Sequence, residues 1–345
     1  MDVSKAAAVL KRLKAPHFRL AQLRQAVFRD AQDSYEAMTT LPEELRRALS
    51  AEVPILRLSP ALVRASADGL CRKALLRLHD GLKIETVLLR PSSRRWTVCI
   101  SSQAGCAVAC TFCATGLMGL ARNLTAEEIS DQVLFWKQLM RREKIAGGEA
   151  GPDNVVYMGM GEPFANYEPV AQSLRALMDQ TQFGLGARHI SVSTSGIAPK
   201  IERFAEDFPQ VNLALSLHAA EDSLRTKLVP MNRAYPLESL AASLRAYLKN
   251  TGRKIFVEYV LLRGENDRPQ DARSLADYLR SIGPLERLHV NLIAFNQTDT
   301  PHQAPPEAEA RRFQALLRRD GIPTTLRQNL GQDINGACGQ LLAKN

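Results

Sequence analysis

Cys106-Ala107-Val108-Ala109-Cys110-Thr111-Phe112-Cys113 places three thiols within eight positions. Cysteine thiolate is a soft ligand for zinc or for the iron of an iron–sulfur cluster. At this Cys-x3-Cys-x2-Cys spacing three thiolates reach three corners of one small cluster or ligate one metal ion, and no fourth cysteine lies nearby. Four thiolates would suggest a closed structural site, whereas three leave a coordination position open for chemistry. Free cysteine is often buried as a small hydrophobe, but packing is a poor reason for such clustering. Zinc stays open as a reading, although its motifs usually come as two Cys-x-x-Cys halves. Gly105 and Gly116 bracket the run as a flexible loop.

Outward from the loop, strands and helices alternate. Thr97 to Ser101 reads as a short strand that leads into it. Five more strands follow, at Asn154–Met158, His189–Thr194, Val211–Leu217, Ile255–Leu261 and Leu288–Ile293, with helical patterns such as Tyr167–Asp179 and Leu237–Asn250 between them. Thr125-Ala126-Glu127-Glu128 is a capping box, and Ile129, Val133, Trp136 and Met140 give its helix a buried stripe. This order implies a parallel sheet with right-handed crossovers. Six units are too few for a closed eight-fold barrel, so the fold class is α/β, an open, partial (β/α)6 barrel.

Ligand groups then belong at the C-terminal ends of the strands. The first strand ends at the cysteine loop, the second in Gly159-Met160-Gly161-Glu162-Pro163, the third in Ser193-Thr194-Ser195-Gly196, the fourth in Ser216-Leu217-His218, and the sixth runs into Phe295-Asn296. Each alone reads as a turn or cap as easily as a ligand. His218 fits a satisfied structural histidine equally well. Jointly, the groups converge on one face, as the lining of a binding site does.

Upstream, residues 1–60 read as a compact, basic helical module. Lys5, Lys11, Arg12, Lys14, His17, Arg19 and Arg24 recur among apolar residues, and Leu20, Leu23 and Val27 form a stripe. The basic face suits a solvated surface and an RNA contact alike. Pro42 marks a helix start in Leu41–Leu45. Residues 61–91 read as a hairpin connector, two apolar runs around Asp80-Gly81 followed by a polar loop from Pro91 to Arg95. The barrel takes 92–330. The remaining segment, 331–345, is small and Gly-rich around Cys338, where a thiol on flexible chain can reach an active site. Cys99 reads as a core thiol on the first strand, and Cys71 as structural.

The chain of 345 residues has 45% hydrophobic and 23% charged residues, the balance of a soluble globular protein. No apolar run approaches a membrane helix, and Met1-Asp2-Val3-Ser4-Lys5 lacks a signal-peptide core, so a cytoplasmic protein is expected. Clustered cysteines there point to metal or catalysis rather than disulfides. The net charge of +9 suits a polyanionic partner such as nucleic acid.

The octet resembles the signature of radical S-adenosylmethionine (SAM) enzymes, which implies a [4Fe–4S] cluster whose unligated iron holds the amino and carboxylate groups of SAM. Several further stretches are similar to the RlmN/Cfr family of radical-SAM RNA methyltransferases: Cys99–Gln103, Ala114–Gly116, Arg122–Thr125, Gly159–Pro163, Ser216–His218, Val290–Ile293 and Ala337–Gln340. The match runs in order from about residue 15 to 342.

The resemblance implies methylation of an adenosine in 23S rRNA, at C2 in RlmN (with the adenosine beside the anticodon of some tRNAs) or at C8 in Cfr. It implies that Cys106, Cys110 and Cys113 ligate the cluster and that Gly161, Glu162, Ser193, Ser216, His218 and Asn296 contact SAM, with Ser191 and Ser195 close rivals of Ser193. Two SAM molecules serve each turnover. One methylates Cys338, and reductive cleavage of the other gives a radical that takes a hydrogen from that methyl group. The carbon then adds to adenine, Glu85 removes the ring proton, and Cys99 attacks Cys338 to release product as a disulfide forms. The implied partners are 23S rRNA, tRNA and an electron donor such as a flavodoxin or ferredoxin, with a monomeric enzyme. Glu162-Pro163 and Val257–Val260 look more like RlmN, whereas Asp131–Leu134 and Pro209–Leu213 look somewhat like Cfr. C2 is the expected target. Two alternatives come from other classes: a radical-SAM enzyme acting on a small molecule or peptide, and a zinc-stabilised RNA-binding module without catalysis.

Overall fold

The computed structural model describes residues 1–92, 95–148 and 151–341, so Ser93 and Arg94 of the expected polar loop, part of the charged loop before Gly151 and residues 342–345 lie outside the described residues. Twelve strands run through the described residues: β1 (Leu58–Ala65), β2 (Cys71–Leu78), β3 (Lys83–Ser92), β4 (Arg95–Cys99), β5 (Gln103–Gly105), β6 (Leu120–Asn123), β7 (Asn154–Tyr157), β8 (Ile190–Thr194), β9 (Asn212–Ser216), β10 (Ile255–Leu261), β11 (Leu288–Ala294) and β12 (Thr324–Leu326). Ten form one sheet in the order β1-β2-β3-β4-β7-β8-β9-β10-β11-β12, and β5 pairs with β6.

From β4 onward each strand runs parallel to the next. Helices cross between them, including Ala126–Arg142, Tyr167–Met178, Ala198–Asp207, Leu237–Thr251, Pro269–Ile282 and Glu307–Arg319. The six expected parallel strands are all present, and β12 adds a seventh. At three residues it carries too little periodicity to be read from sequence. The capping box is built as expected: Thr125 Oγ1 accepts from the Glu128 N–H at 3.2 Å, and the Glu128 carboxylate accepts from the Thr125 N–H at 3.0 Å. Ile129, Val133, Trp136 and Met140 are all buried beneath that helix.

β2 and β3 form the antiparallel hairpin around Asp80-Gly81, with Gly81 at φ +84°. β1 extends it on the far side and was not anticipated. Its side chains are mostly exposed, it carries Pro60, and it is bulged between Pro60 and Leu62, so an edge strand left no alternating pattern to read. The N-terminal helices Val3–Arg12, Phe18–Arg24 and Glu43–Glu52 bury Leu23 and Val27 in a core continuous with that of the barrel. Lys137 and Gln138 of the capping-box helix tie them down by donating to the carbonyls of Phe28 (2.8 Å) and Gln32 (3.1 Å).

The sheet is open between β12 and the hairpin, and residues 331–341 cross back over that opening. Asp333 accepts from the Ala67 N–H at 2.9 Å, and the Asn335 carbonyl accepts from Lys73 Nζ at 3.1 Å. Gly331, at φ +70°, turns directly over Cys71 Sγ, where a side chain would collide with the thiol. The strap that carries Cys338, continuous in chain with β12, is thereby fastened to the β1–β2 edge.

Candidate active site

A cavity of about 610 Å³ opens at the C-terminal ends of the parallel strands. Cys106, Cys110 and Cys113 line it, and so do Gly161, Glu162, Ser193, Ser216, His218, Asn296, Cys99 and Cys338. Of the residues expected at a reactive site, Glu85 alone lies outside this lining. A second cavity of about 360 Å³, between Tyr35, Ser50, Phe135 and Arg142, contains none of the thiols.

The thiol loop is held from several sides. The Cys106 N–H donates to Gly119 O (2.8 Å), the Thr111 N–H to Leu228 O (3.1 Å), and the Ala114 N–H to Gly339 O (2.8 Å). Thr115 Oγ1 donates to Leu341 O at 2.6 Å. Val108 and Phe112 pack with Ala219, Leu228, Val229, Val260, Leu262, Ile293 and Phe295 into a small apolar cluster that walls the loop. Burial pushes all three thiols up, Cys106 to about 12. Backbone N–H groups of Val108 and Ala109 toward Cys106, and of Thr115 and Gly116 toward Cys113, pull the other way. Among the described residues no three His, Cys, Asp or Glu side chains come close enough to hold a single metal ion. Three thiols spread along an apolar, amide-lined cavity wall fit a cluster, whose irons are bridged to one another and need only peripheral thiolates.

The strand-end groups face the loop across the cavity. Gly161, at φ +100°, lies so close to Gln103 that any side chain would strike it. Glu162 is buried. Burial pushes its carboxyl up, against N–H groups of Ser195 (2.7 Å) and Phe164 (3.0 Å) that donate to its two oxygens. Ser193 Oγ lies 3.0 Å from Ser216 Oγ, so these hydroxyls act together; Ser195 also lines the cavity, whereas Ser191 does not. His218 takes a left-handed φ of +62° and accepts from the Val260 N–H at Nδ1 (3.1 Å), which leaves the ring proton on Nε2. Burial, with help from Arg225, lowers its pKa to about 3, so the ring is neutral.

Cys338 is accessible to the cavity yet surrounded by protein. Asn296 Nδ2 donates to its carbonyl at 3.0 Å, and Gln332 Nε2 donates to Asn296 Oδ1 at 2.8 Å. Cys99 is buried on β4, and burial foremost, with Cys338 second, pushes its thiol up. Two thiols far apart in sequence, Cys99 reading as core from its strand alone and as the attacking thiol from the family resemblance, thus lie within electrostatic reach of each other. Glu85 sits two residues before Val87 on the same face of β3, just beyond the lining. It pairs with Lys73 at 2.9 Å, and Lys73 is the group that also binds the Asn335 carbonyl of the strap.

Sequence reading missed the braces. Arg225 is fully buried and donates to Ser195 O (2.6 Å), Leu217 O (3.1 Å) and Asn232 Oδ1 (2.7 Å), stitching the ends of β8 and β9 together. Gln132 both accepts from and donates to the Ser101 backbone, each at 2.8 Å. Asn266 Nδ2 donates to His218 O (2.8 Å) and Val260 O (2.7 Å). Their signal is weak because each acts on backbone remote in sequence.

Residues 100–279 match the family model of the radical SAM superfamily. A protein of Chloroflexus aurantiacus named "Probable dual-specificity RNA methyltransferase RlmN" is 43% identical, with 100% of this chain and 92% of that protein covered. One of the same name from Moorella thermoacetica is 46% identical over 89% of this chain and 85% of its own. Among solved structures, a radical SAM methyltransferase from Sphaerobacter thermophilus superposes with a TM-score of 0.93 at 44% identity, over 100% of this chain and 98% of that one.

Proposed function

The chain belongs to the radical SAM superfamily and, within it, to the RlmN family of RNA methyltransferases, and from that premise we propose that it methylates C2 of an adenosine in 23S rRNA, and the adenosine beside a tRNA anticodon, with Cys338 as carrier of the methyl group. The observation that supports this reading best is that one cavity gathers the three-thiol loop, the strand-end polar groups, Cys99 and Cys338.

Cys106, Cys110 and Cys113 are the residues that would hold a [4Fe–4S] cluster. When bound, that cluster supplies the electron for reductive cleavage of SAM, drawn from a donor such as a flavodoxin or ferredoxin. Around it, the protein supplies orientation and exclusion of water. Glu162 offers a carboxylate, already oriented by two backbone N–H groups, to the ammonium of SAM. The Ser193–Ser216 pair and the Nε2 proton of neutral His218 offer hydrogen bonds to its polar groups.

Adenine C2 is not nucleophilic, so it cannot take a methyl group from SAM directly. Cys338 takes it first: its sulfur bonds the methyl carbon as the carbon–sulfur bond of SAM breaks and the thiol proton leaves. After a hydrogen atom is removed from that methyl group, its carbon bonds adenine C2. Glu85, which Lys73 holds at 2.9 Å, takes the C2 proton. Cys99, giving up its thiol proton, then attacks the Cys338 sulfur; the bond from that sulfur to the CH2 on C2 breaks as the disulfide forms, that carbon takes up a proton to become the methyl group, and the odd electron left by radical addition would return to the bound cluster. The adenosine must leave its stack to enter. Exposed Lys5, Lys11, Lys14 and His17 on the N-terminal helices suit the RNA backbone.

The test is a pair of variants assayed with an rRNA fragment and SAM. Cys99→Ala should stall as an RNA adduct on Cys338, and Cys338→Ala should give neither product nor adduct. Methylation by Cys338→Ala would end the two-cysteine reading. Nucleoside mass spectrometry of rRNA and tRNA from a deletion strain should show loss of 2-methyladenosine; loss of 8-methyladenosine would assign the other ring position.

A further inference from the structure

Glu162, Glu258 and Arg327 are the charged side chains that line the cavity among the described residues, and the mechanism above uses only the first. Glu258 lies on β10 in register with Ser216 of β9 and Asn291 of β11, on the wall between the SAM-type residues and the strap. Its Oε1 accepts from Asn291 Nδ2 at 2.8 Å. Its Oε2 faces Arg327 Nη1 at 3.7 Å, beyond hydrogen-bond distance. Arg327 follows β12 and leads into the strap, and its backbone N–H is satisfied by Leu292 O at 2.9 Å. Three polar neighbours are engaged elsewhere, Thr325 Oγ1 on His289 (2.9 Å), Thr97 Oγ1 on Asn154 (3.4 Å) and Asn329 Nδ2 on Ala294 O (3.2 Å), and Gln328 also lines this wall as an uncharged group. One half-open carboxylate and one guanidinium therefore face the cavity within a base's width of each other. Both line the same cavity as Cys338, the proposed carrier of the reacting carbon; Arg327 sits at the end of β12, on the chain that leads into the strap, and Glu258 two strands further along the sheet on β10.

We propose that Arg327 and Glu258 read the edge of the flipped adenine beside the carbon that is methylated, Arg327 donating to N1 and Glu258 accepting from the 6-amino group. The assignment rests on the adenosine-methylating reading above. The order carbon, acceptor, donor around the adenine ring runs C2, N1, 6-amino, and from the strap inward the cavity presents Cys338, then Arg327 at the end of β12, then Glu258 on β10. Guanine fails twice in the same pose: its N1–H meets the guanidinium donors, and its O6 meets the carboxylate. A site whose buried polar groups are left unpaired rejects the wrong partner more strongly than an apolar pocket rejects a misfit.

The experiment uses an RNA hairpin whose target adenosine is replaced by purine ribonucleoside, which lacks the 6-amino group, or by 1-deazaadenosine, which lacks N1. With the wild-type holoenzyme each analogue should lose about 10- to 100-fold in kcat/KM, the worth of one hydrogen bond to a charged group. In Glu258→Met the adenosine-to-purine preference should collapse to within about threefold of one, and in Arg327→Met the preference for a ring nitrogen at position 1 should do likewise. The change in each preference from wild type to variant cancels intrinsic differences in ring reactivity and any shared loss of activity. If the wild type turns over all three substrates alike, or either variant keeps the wild-type preference, Glu258 and Arg327 are only a structural pair. If Glu258→Met does not fold, the wild-type ratios and half-exposed Arg327 decide. A wild-type enzyme that puts no methyl group on C2 of adenosine RNA sinks the underlying reading instead.

Discussion

Replacing Arg225 with methionine should cost about 2–4 kcal/mol of stability, although in sequence the residue looks like an ordinary charge on a short helix. Three acceptors lose a short bond, Ser195 O, Leu217 O and Asn232 Oδ1 at 2.6, 3.1 and 2.7 Å, and a fourth, Ser216 O, loses a long one at 3.4 Å that is left out of the sum. Each buried, unsatisfied group costs roughly 1–3 kcal/mol, so the gross loss is about 3–9 kcal/mol. Methionine also relieves the desolvation of a fully buried guanidinium, which burial already disfavours, and that relief is worth several kcal/mol. The difference leaves the net figure above. Arg225→Lys keeps a charge but cannot span three acceptors in one plane, so it should fall between the two. Urea unfolding followed through buried Trp136 gives the stabilities. SAM affinity should weaken in parallel, because Ser195 and Leu217 sit at the strand ends that carry Ser193, Ser216 and His218. A loss in Arg225→Met below about 1 kcal/mol, with SAM affinity intact, refutes the bracing argument.

The left-handed Gly331 above Cys71 makes Gly331→Ala destabilising by about 1–3 kcal/mol, with earlier proteolysis of the strap; Cys71→Ala in the same chain should recover part of it, and no recovery means the thiol is not the obstacle. His218 is held neutral well below its unfolded pKa of 6.5, so its contribution to stability is complete above that pH and fades as pH falls toward about 3, at up to about 1.4 kcal/mol per pH unit; His218→Asn, which tolerates the positive φ, should flatten that slope in acid unfolding. Burial raises the Glu128 carboxyl, but Arg122, the Thr125 N–H and His79 outweigh it and leave the group below 4.5; its stabilisation is therefore present above that value and lost as pH falls through the folded pKa, and Glu128→Gln should lower stability at pH 7 while making acid unfolding less steep. Asn296→Ala should release the Cys338 carbonyl and slow methylation of Cys338, read by mass spectrometry without RNA; an unchanged rate would mean that the strap's other anchors position Cys338 without it.

What could be read from sequence was whatever is periodic or local. The six main parallel strands, the capping box at Thr125 and the turn at Gly81 each carry their signal within a few residues, and each is found in place. β1 and β12 were invisible because an exposed edge strand need not alternate and three residues cannot. Arg225, Gln132, Asn266, Glu258 and Arg327 escaped for another reason. Each does its work on partners that the folded barrel brings into place, and the sequence around each reads as ordinary helix, strand or turn. Cys99 shows the same limit from the other side: as a thiol on a buried strand it looks like core, and its meaning depends on Cys338 arriving from the far end of the chain.

How Cys338 arrives explains why the thiol loop alone does not define the chemistry. A barrel left open between β12 and the hairpin exposes a cavity wall that a radical reaction needs to have closed to water. Residues 331–341 close it, and the same stretch that seals the gap presents the thiol. Its contacts are shared out: Asp333 and Asn335 hold the hairpin, Gly339 and Leu341 hold the residues just after Cys113, and Asn296 holds Cys338 itself. Displacing the strap therefore loosens the loop that would bind the cluster and removes the proposed methyl carrier in one movement. A chain that kept the loop but lost these anchors would retain the means to cleave SAM and lose control over where the resulting reactivity goes. On the proposed mechanism the seal and the carrier are one element, and that makes the reaction conditional on the site being shut.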